Sequence, residues 1–112
     1  MGLTKVTVTV SNLTKSKKGF ESLFLVDTGA IDCMVPASEL KKAGVKVEGK
    51  EIYELANGES VEYKYGFARV SFMGAETVGQ VIFGPVEIES ILGVVALENT
   101  GIEVDPVSKR LL

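Results

Sequence analysis

One carboxylate in this sequence lies where acid–base chemistry is possible. Asp27 follows the apolar run Leu23-Phe24-Leu25-Val26 and opens the turn Asp27-Thr28-Gly29-Ala30. An apolar run bounded by a glycine turn predicts a buried strand. A carboxylate at the end of such a strand is costly to bury unless backbone N–H groups or a hydroxyl donate hydrogen bonds to it. The sequence therefore predicts either a reactive acid at position 27 or a polar turn in which Asp27 caps its own backbone.

The composition excludes most other catalytic chemistries. The chain has no histidine, which excludes Ser–His and Cys–His nucleophilic sites and histidine-ligated zinc. Its one cysteine, Cys33, cannot form an internal disulfide or a thiolate zinc site. Catalysis would have to use carboxylates, lysines or hydroxyls, and the aspartates are Asp27, Asp32 and Asp105. We expect no metal and no cofactor.

Length and charge indicate a small globular domain. The 112 residues are 46% hydrophobic and 24% charged, which suits a single domain over residues 1–112. The net charge is −3, with lysines scattered among glutamates, which argues against nucleic acid or an acidic membrane surface as partner. No apolar run approaches the length of a membrane span, and the N-terminal residues do not resemble a signal peptide. We expect a cytoplasmic protein.

The elements that must position Asp27 are mostly strands. Alternation of apolar and polar residues predicts a half-buried strand over residues 5–10, and the run before Asp27 predicts another over residues 20–26. Asn57-Gly58, between two extended segments, predicts a hairpin with a type I′ turn. Further strands are predicted over 34–35, 52–56, 59–65, 67–73, 77–83 and 102–104, an extended segment over 87–92, and short helices over 36–44 and 94–100. The fold class is therefore all-β.

Two other motifs point to different chemistry. Residues 44–50 match most of a phosphate-binding loop, but Glu51 stands where a Ser or Thr should hold magnesium, and a strand follows instead of a helix. Phosphate binding is therefore disfavoured. Cys33 lies in an apolar stretch, where a lone cysteine is more often a buried core residue than a reactive thiol.

Four features together resemble the retropepsin-like, or retroviral-type, single-domain aspartic proteases. They are Asp27-Thr28-Gly29-Ala30, the Asn57-Gly58 hairpin, Ile91-Leu92-Gly93, and the tail with Asp105-Pro106 and Arg110-Leu111. The resemblance covers residues 20–112. It implies a closed acid-protease barrel with one or two short helices, in which the hairpin is a flap over the substrate.

The resemblance also implies an aspartic endopeptidase that works as a homodimer. The chain has one Asp-Thr-Gly, whereas the chemistry needs two carboxylates that share a proton and activate one water. Asp27, Thr28 and Gly29 would form the catalytic turn, with Thr28 locking the two loops together across the two-fold axis. The substrate would be a peptide or protein, contacted by residues that flank the turn or lie in the flap: Ala30, Asp32, Met34, Ala56, Asn57, Gly58 and Ile91.

One departure from the family pattern leaves an alternative open. Viral members pair an Asp and an Arg where this chain has Ile31 and Val94, so the charged bracing of the turn is missing. We expect these two apolar residues to lie within van der Waals contact of each other beside the catalytic turn of their own chain, in a partly buried place. The alternative to an enzyme is a catalytically inactive domain of the same fold that binds peptide or protein partners.

Overall fold

The computed structural model describes residues 4–54, 57–105, 107 and 111, which form seven strands and two short helices. In chain order the elements are β1 (Lys5–Ser11), β2 (Phe20–Val26), β3 (Cys33–Pro36), α1 (Ala37–Lys42), β4 (Gly49–Glu54), β5 (Ser60–Phe72), β6 (Ala75–Gly84), β7 (Ile91–Leu92) and α2 (Val94–Thr100).

Six of the strands close into a barrel. The sheet runs in the order β1-β2-β7-β3-β6-β5-β4, and β1 also pairs with β5 through Thr9↔Ser71, Val10↔Val70 and Ser11↔Arg69. This extra pairing joins the two ends of the six-strand series and leaves β4 outside the barrel, where its backbone pairs with β5 alone among the described strands. The prediction of an all-β closed barrel with short helices is confirmed.

The barrel interior follows from the two-residue period of the strands. Val8 and Val10 of β1 are fully buried, as are Phe24 of β2 and Leu92 of β7. Burial of each such side chain contributes about 1.5–3 kcal/mol relative to exposure. These residues pack in one hydrophobic core, so the strand that precedes Asp27 is anchored by its own inward-facing phenylalanine.

Strand β5 is longer than the sequence predicted. Two strands were expected on either side of residue 66, but β5 continues for 13 residues through Gly66. The buried positions shift phase there, because Tyr63 and Tyr65 are half-buried while Gly66 and Ala68 are buried. A side chain at position 66 would collide with the backbone carbonyl of Lys46. Gly66 thus marks a close crossing of two chain segments and does not end the strand.

The hairpin between β4 and β5 forms, but not with the predicted turn. Its last described pair is Glu54↔Ser60, whereas a two-residue Asn57-Gly58 turn would pair Glu54 with Val61, one residue away. The Glu59 N–H donates to Asn57 Oδ1 at 2.9 Å, and Gly58 has φ +86°. The type I′ prediction is therefore wrong. A two-residue turn with both φ values positive occurs instead at Met73-Gly74, between β5 and β6.

The C-terminal part contains less strand than expected. The segment over 87–92 yields only the two-residue β7, and the strand expected over 102–104 is a single bridge between Val104 and Leu111. Helix α2 has its predicted bounds and ends at Gly101, whose φ of +71° suits a glycine. Among the described residues, no helix has the length and apolar character needed to cross a membrane.

Candidate active site

The turn that follows β2 holds Asp27 through three hydrogen bonds. The Asp27 N–H donates to the Leu92 carbonyl at 3.1 Å, which continues the parallel pairing of β2 with β7. The Ala30 N–H donates to the Asp27 carbonyl at 3.1 Å, and the Gly29 N–H donates to Asp27 Oδ1 at 2.9 Å. Asp27 does cap its own backbone, as the polar-turn interpretation predicted. This bond fixes the orientation of the carboxylate.

The loop after Asp27 is held against the Ile91-Leu92-Gly93 segment. The Val94 N–H donates to the Ala30 carbonyl at 2.8 Å, and the Val95 N–H donates to the Ile31 carbonyl at 3.1 Å. Gly93 is buried between these bonds, and a Cβ there would lie 2.6 Å from the Ile31 and Asp32 carbonyl oxygens. Its φ of −87° is ordinary, so space and not backbone conformation requires a glycine. The crossing therefore braces the Asp27 turn by backbone contacts.

Gly93→Ala should destabilise the protein and misplace Asp27. The new methyl group would collide with backbone atoms that cannot rotate away, so we expect a loss of about 3 kcal/mol in the free energy of unfolding, measured by urea denaturation. Gly79→Ala is the matched control, because a Cβ at Gly79 meets no atom within 4 Å. That variant should stay within about 0.5 kcal/mol of the parent. Equal losses in both variants would mean that the crossing is not tightly packed.

An apolar wall continues from the turn along β3. Met34 pairs with Ile91 of β7 on one side and with Ile82 of β6 on the other, so the three side chains share one face of the sheet. Ile91 and Met34 are half-buried, and Ile82 is 5% exposed. The sequence placed Met34 and Ile91 beside the Asp27 turn, and the strand pairing brings them together there. It missed Ile82, because the parallel pairing of β3 with β6 is long-range.

Polar residues gather at the Asp32 end of this wall. Gln80 Nε2 donates to the Tyr53 hydroxyl at 3.4 Å, and the Tyr53 ring packs on Tyr63 with centroids 6.0 Å apart. Burial raises the pKa of Asp32, and the negative charge of Glu51 raises it further. Burial also raises the pKa of Tyr53, as do the charges of Glu51 and Asp32. Strand β4 thus brings Glu51 and Tyr53 close to Asp32, a juxtaposition that the sequence did not reveal.

The remaining predicted site residues that the structure describes are exposed or half-buried. Thr28 and Gly29 are exposed at the surface of the turn, and Ala30 is half-buried beside them. Asn57 and Gly58 are exposed in the β4–β5 connection. Ala56, a predicted substrate contact, lies outside the described residues.

Ile31 and Cys33, which follow the turn in the chain, differ in their exposure to solvent. Ile31 is 68% exposed, so the partly buried place expected for it is wrong, while its side-chain contact with Val94 stays a prediction. Backbone hydrogen bonds from the Val94 and Val95 N–H groups hold this segment in place. Cys33 is buried, and burial raises the pKa of its thiol to about 11, which keeps the thiol protonated and disfavours a nucleophilic role. Within the described residues, no three carboxylate or thiol groups converge to hold a metal ion.

Comparisons with known proteins include a family match and a similar solved structure. Residues 6–96 match the family model described as aspartyl protease. Among solved structures, the fold is similar to that of the foamy viral protease-reverse transcriptase in complex with an RNA/DNA hybrid, with a TM-score of 0.61 and 17% identity over 86% of this chain. This chain corresponds to 12% of that longer chain. A search of curated proteins finds no match.

Proposed function

Because this chain belongs to the aspartyl protease family, we propose that it is an aspartic endopeptidase whose site is completed by a second copy of the chain. The observation that carries the proposal is the Asp27 turn, which presents one oriented carboxylate at the surface, braced by the crossing at Gly93. One carboxylate is half of the required pair, since the chemistry needs one acid and one base. A symmetric dimer would bring two Asp27 turns together on its axis.

Each group at the axis has a defined role in this mechanism. One Asp27 carboxylate would accept a proton from the bound water as the water attacks the scissile carbonyl. The other carboxyl, protonated, would donate a hydrogen bond to the carbonyl oxygen as negative charge develops there. Two carboxylates about 3 Å apart cannot both be ionised, so the pair keeps one proton. The Gly29 N–H bond to Oδ1 supports the mechanism because it holds each carboxylate in one orientation.

The β4–β5 hairpin would close over the bound peptide as a flap. Two observations support this role: Tyr53 and Glu51 of β4 lie close to Asp32, and the described tip residues Asn57 to Ser60 are exposed. Lids are drawn from weakly packed elements that can open without unfolding the domain. The tip is weakly packed in this sense, since a Cβ at Gly58 would meet no atom within 4 Å.

Gly58→Val should therefore impair turnover more than stability. Gly58 has φ +86°, which a β-branched residue adopts at a cost of about 1–2 kcal/mol. Gly74→Val is the matched control, because Gly74 also has a positive φ, +77°, and open space around its Cβ, but lies in the β5–β6 turn. Both variants should lose similar stability in thermal unfolding, whereas only Gly58→Val should lower kcat/KM, by about tenfold. Equal kinetic losses would argue against a flap.

The proposed substrate cleft favours a long cationic side chain in one subsite. Met34 and Ile82 form an apolar wall that suits an aliphatic stem, and the carboxylates of Asp32 and Glu51 lie at its polar end. A lysine or arginine can bury its stem along such a wall while its charged end meets the carboxylates. The ammonium or guanidinium group would also relieve the repulsion between Asp32 and Glu51. We therefore expect peptides with a basic residue near the scissile bond to be preferred.

Peptides that differ only at this position test the preference. Lysine should exceed norleucine by about tenfold in kcat/KM, and glutamate should be the poorest residue. Asp32→Asn and Glu51→Gln should each reduce the lysine preference. The raised pKa of Asp32 means that its charge forms only at a higher pH than usual, so the preference should weaken as the solution is acidified. A preference for glutamate, or one insensitive to both substitutions, would contradict this assignment.

A second candidate function is binding without catalysis. It is favoured by the exposure of Ile31, because the charged pair that braces the turn in viral members has no buried apolar replacement here. Cleavage that pepstatin inhibits and that Asp27→Asn abolishes would separate the enzyme from the binding domain. Alkylation of Cys33 that leaves cleavage intact would exclude a thiol mechanism. A cytoplasmic location and the absence of nucleic-acid or membrane partners stay predictions from the sequence.

A further inference from the structure

A second concave site lies between two loops and the outer face of β5. It is a groove of about 490 Å³, here called the lysine groove, and none of its lining residues belongs to the Asp27 turn or the apolar wall. Its apolar side chains include Leu13, which is 44% exposed, and Phe67, which is 42% exposed. Lys17 and Lys46 are its cationic lining residues, and Glu48 is the one acidic residue among them. Exposed apolar surface next to cationic groups is typical of a binding groove.

The walls of the lysine groove are fixed before any ligand binds. Asn12 organises the first loop, because its Nδ2 donates to Ser16 Oγ at 2.7 Å and its Oδ1 accepts from the Ser16 N–H at 3.0 Å. The second loop is anchored to β5 by the Glu48 N–H, which donates to the Tyr65 carbonyl at 2.8 Å. The two loops meet at Gly44, where a Cβ would lie 3.0 Å from Asn12 Nδ2. A preformed groove binds with a smaller ordering cost than a mobile one.

Charge indicates what the lysine groove can bind. The chain carries a net charge of −3, yet among the described residues neither Lys17 nor Lys46 forms an ion pair. Nearby, Lys15 and Arg69 share a single carboxylate, that of Glu76, at 2.7 and 3.2 Å. Arg69 also joins this cluster to the groove, because its Nε donates to the Leu13 carbonyl at 2.7 Å.

The pKa of Glu76 reflects its hydrogen bonds within this cluster. It is lowered by hydrogen bonds from Lys15 and Ser71, by the Lys15 charge and by the hydrogen bond from Arg69. The groove and its surroundings are thus cationic on a protein that is anionic overall.

We propose that the lysine groove binds an acidic peptide segment that carries one large apolar side chain. The apolar side chain would pack against Leu13 and Phe67, while carboxylates on either side of it would meet Lys17 and Lys46. The occupant is a segment of a partner protein, distinct from the peptide bound in the proposed cleft. Because the groove has no lining residue in common with the proposed cleft, binding there does not depend on whether Asp27 is catalytic.

Fluorescence anisotropy with short labelled peptides tests the proposal. The probe is Glu-Glu-Phe-Glu-Glu, and the controls replace its phenylalanine by serine or its glutamates by lysines. We expect binding to the probe that weakens as salt is raised, at least about tenfold weaker binding of the serine peptide, and no binding of the lysine peptide. Pepstatin should not displace the probe, which separates this groove from the proposed cleft. Displacement by pepstatin, equal affinity for the serine peptide, or no binding at all would overturn the proposal.

Matched variants locate the binding site. Lys17→Glu combined with Lys46→Glu should abolish measurable binding, and Phe67→Ser should weaken it about tenfold. Lys41→Glu combined with Lys64→Glu is the control, because both lysines are exposed, form no ion pair among the described residues and lie outside the groove lining. Circular dichroism would verify that all variants fold. Equal weakening in the control, or tighter binding of a single-stranded RNA of similar length than of the probe, would show that charge alone attracts ligands and would contradict the assignment.

Discussion

Asp27→Asn should reduce peptide hydrolysis on the order of 10⁴-fold, because an amide can neither accept the proton of the attacking water nor share one with its mate. The same variant should fold normally. The bond that Asp27 Oδ1 accepts from the Gly29 N–H at 2.9 Å can also be accepted by the Asn side-chain oxygen. Steady-state kinetics and thermal unfolding on the same preparation would therefore separate chemistry from structure.

The C-terminal segment offers a matched control for this substitution. Asp105 Oδ1 accepts from the Val107 N–H at 3.0 Å, with the same two-residue spacing as Asp27 and Gly29. Asp105→Asn should leave hydrolysis near that of the parent. Asp27→Ala, which also removes the turn bond, should add a stability loss of about 1 kcal/mol to the loss of activity. Substantial hydrolysis by Asp27→Asn would exclude the aspartic mechanism.

The second large effect is expected on mixing chains. If each site needs one Asp27 from each of two chains, an Asp27→Asn chain should inactivate every parent chain with which it pairs. At three variant chains to one parent chain, activity per parent chain should fall to about one quarter, as random pairing in a two-fold dimer requires. The mixture is incubated to let subunits exchange before hydrolysis is measured. The chain's single Asp-Thr-Gly motivates this expectation.

Dilution of the parent protein alone provides an independent measurement. Activity per chain should decline as the dimer dissociates, and sedimentation velocity at the same concentrations should show the matching loss of dimer. The control mixture uses Asp105→Asn chains, which should leave activity per parent chain unchanged. Full activity from a species that sediments as a monomer would disprove the shared site, while leaving the fold assignment intact.

Much of the local structure was determined by the sequence itself. The alternating valines of β1 and the apolar run of β2 specify their strands because hydrophobic period and burial agree along each segment. Helix α2 has the expected bounds because Gly101 ends it in the left-handed region. The position of Asp27 at the start of a turn also follows from local residues, since the hydrogen bond between its carboxylate and the Gly29 N–H spans only two positions.

The tertiary structure alone decided the features that depend on distant partners. The β4–β5 register pairs Glu54 with Ser60 because strand pairing, and not the Asn57-Gly58 signal, sets which residues face each other. Strand β5 continues through Gly66 because it pairs with Val81 of β6 there, and the nearby Lys46 backbone leaves no space for a side chain. The proximity of Asp32 to Glu51 and Tyr53 likewise depends on a distant contact, in which the Tyr53 hydroxyl of β4 accepts a hydrogen bond from Gln80 of β6. None of these contacts leaves a local pattern, because each joins residues that are far apart in the chain and close only in the folded barrel.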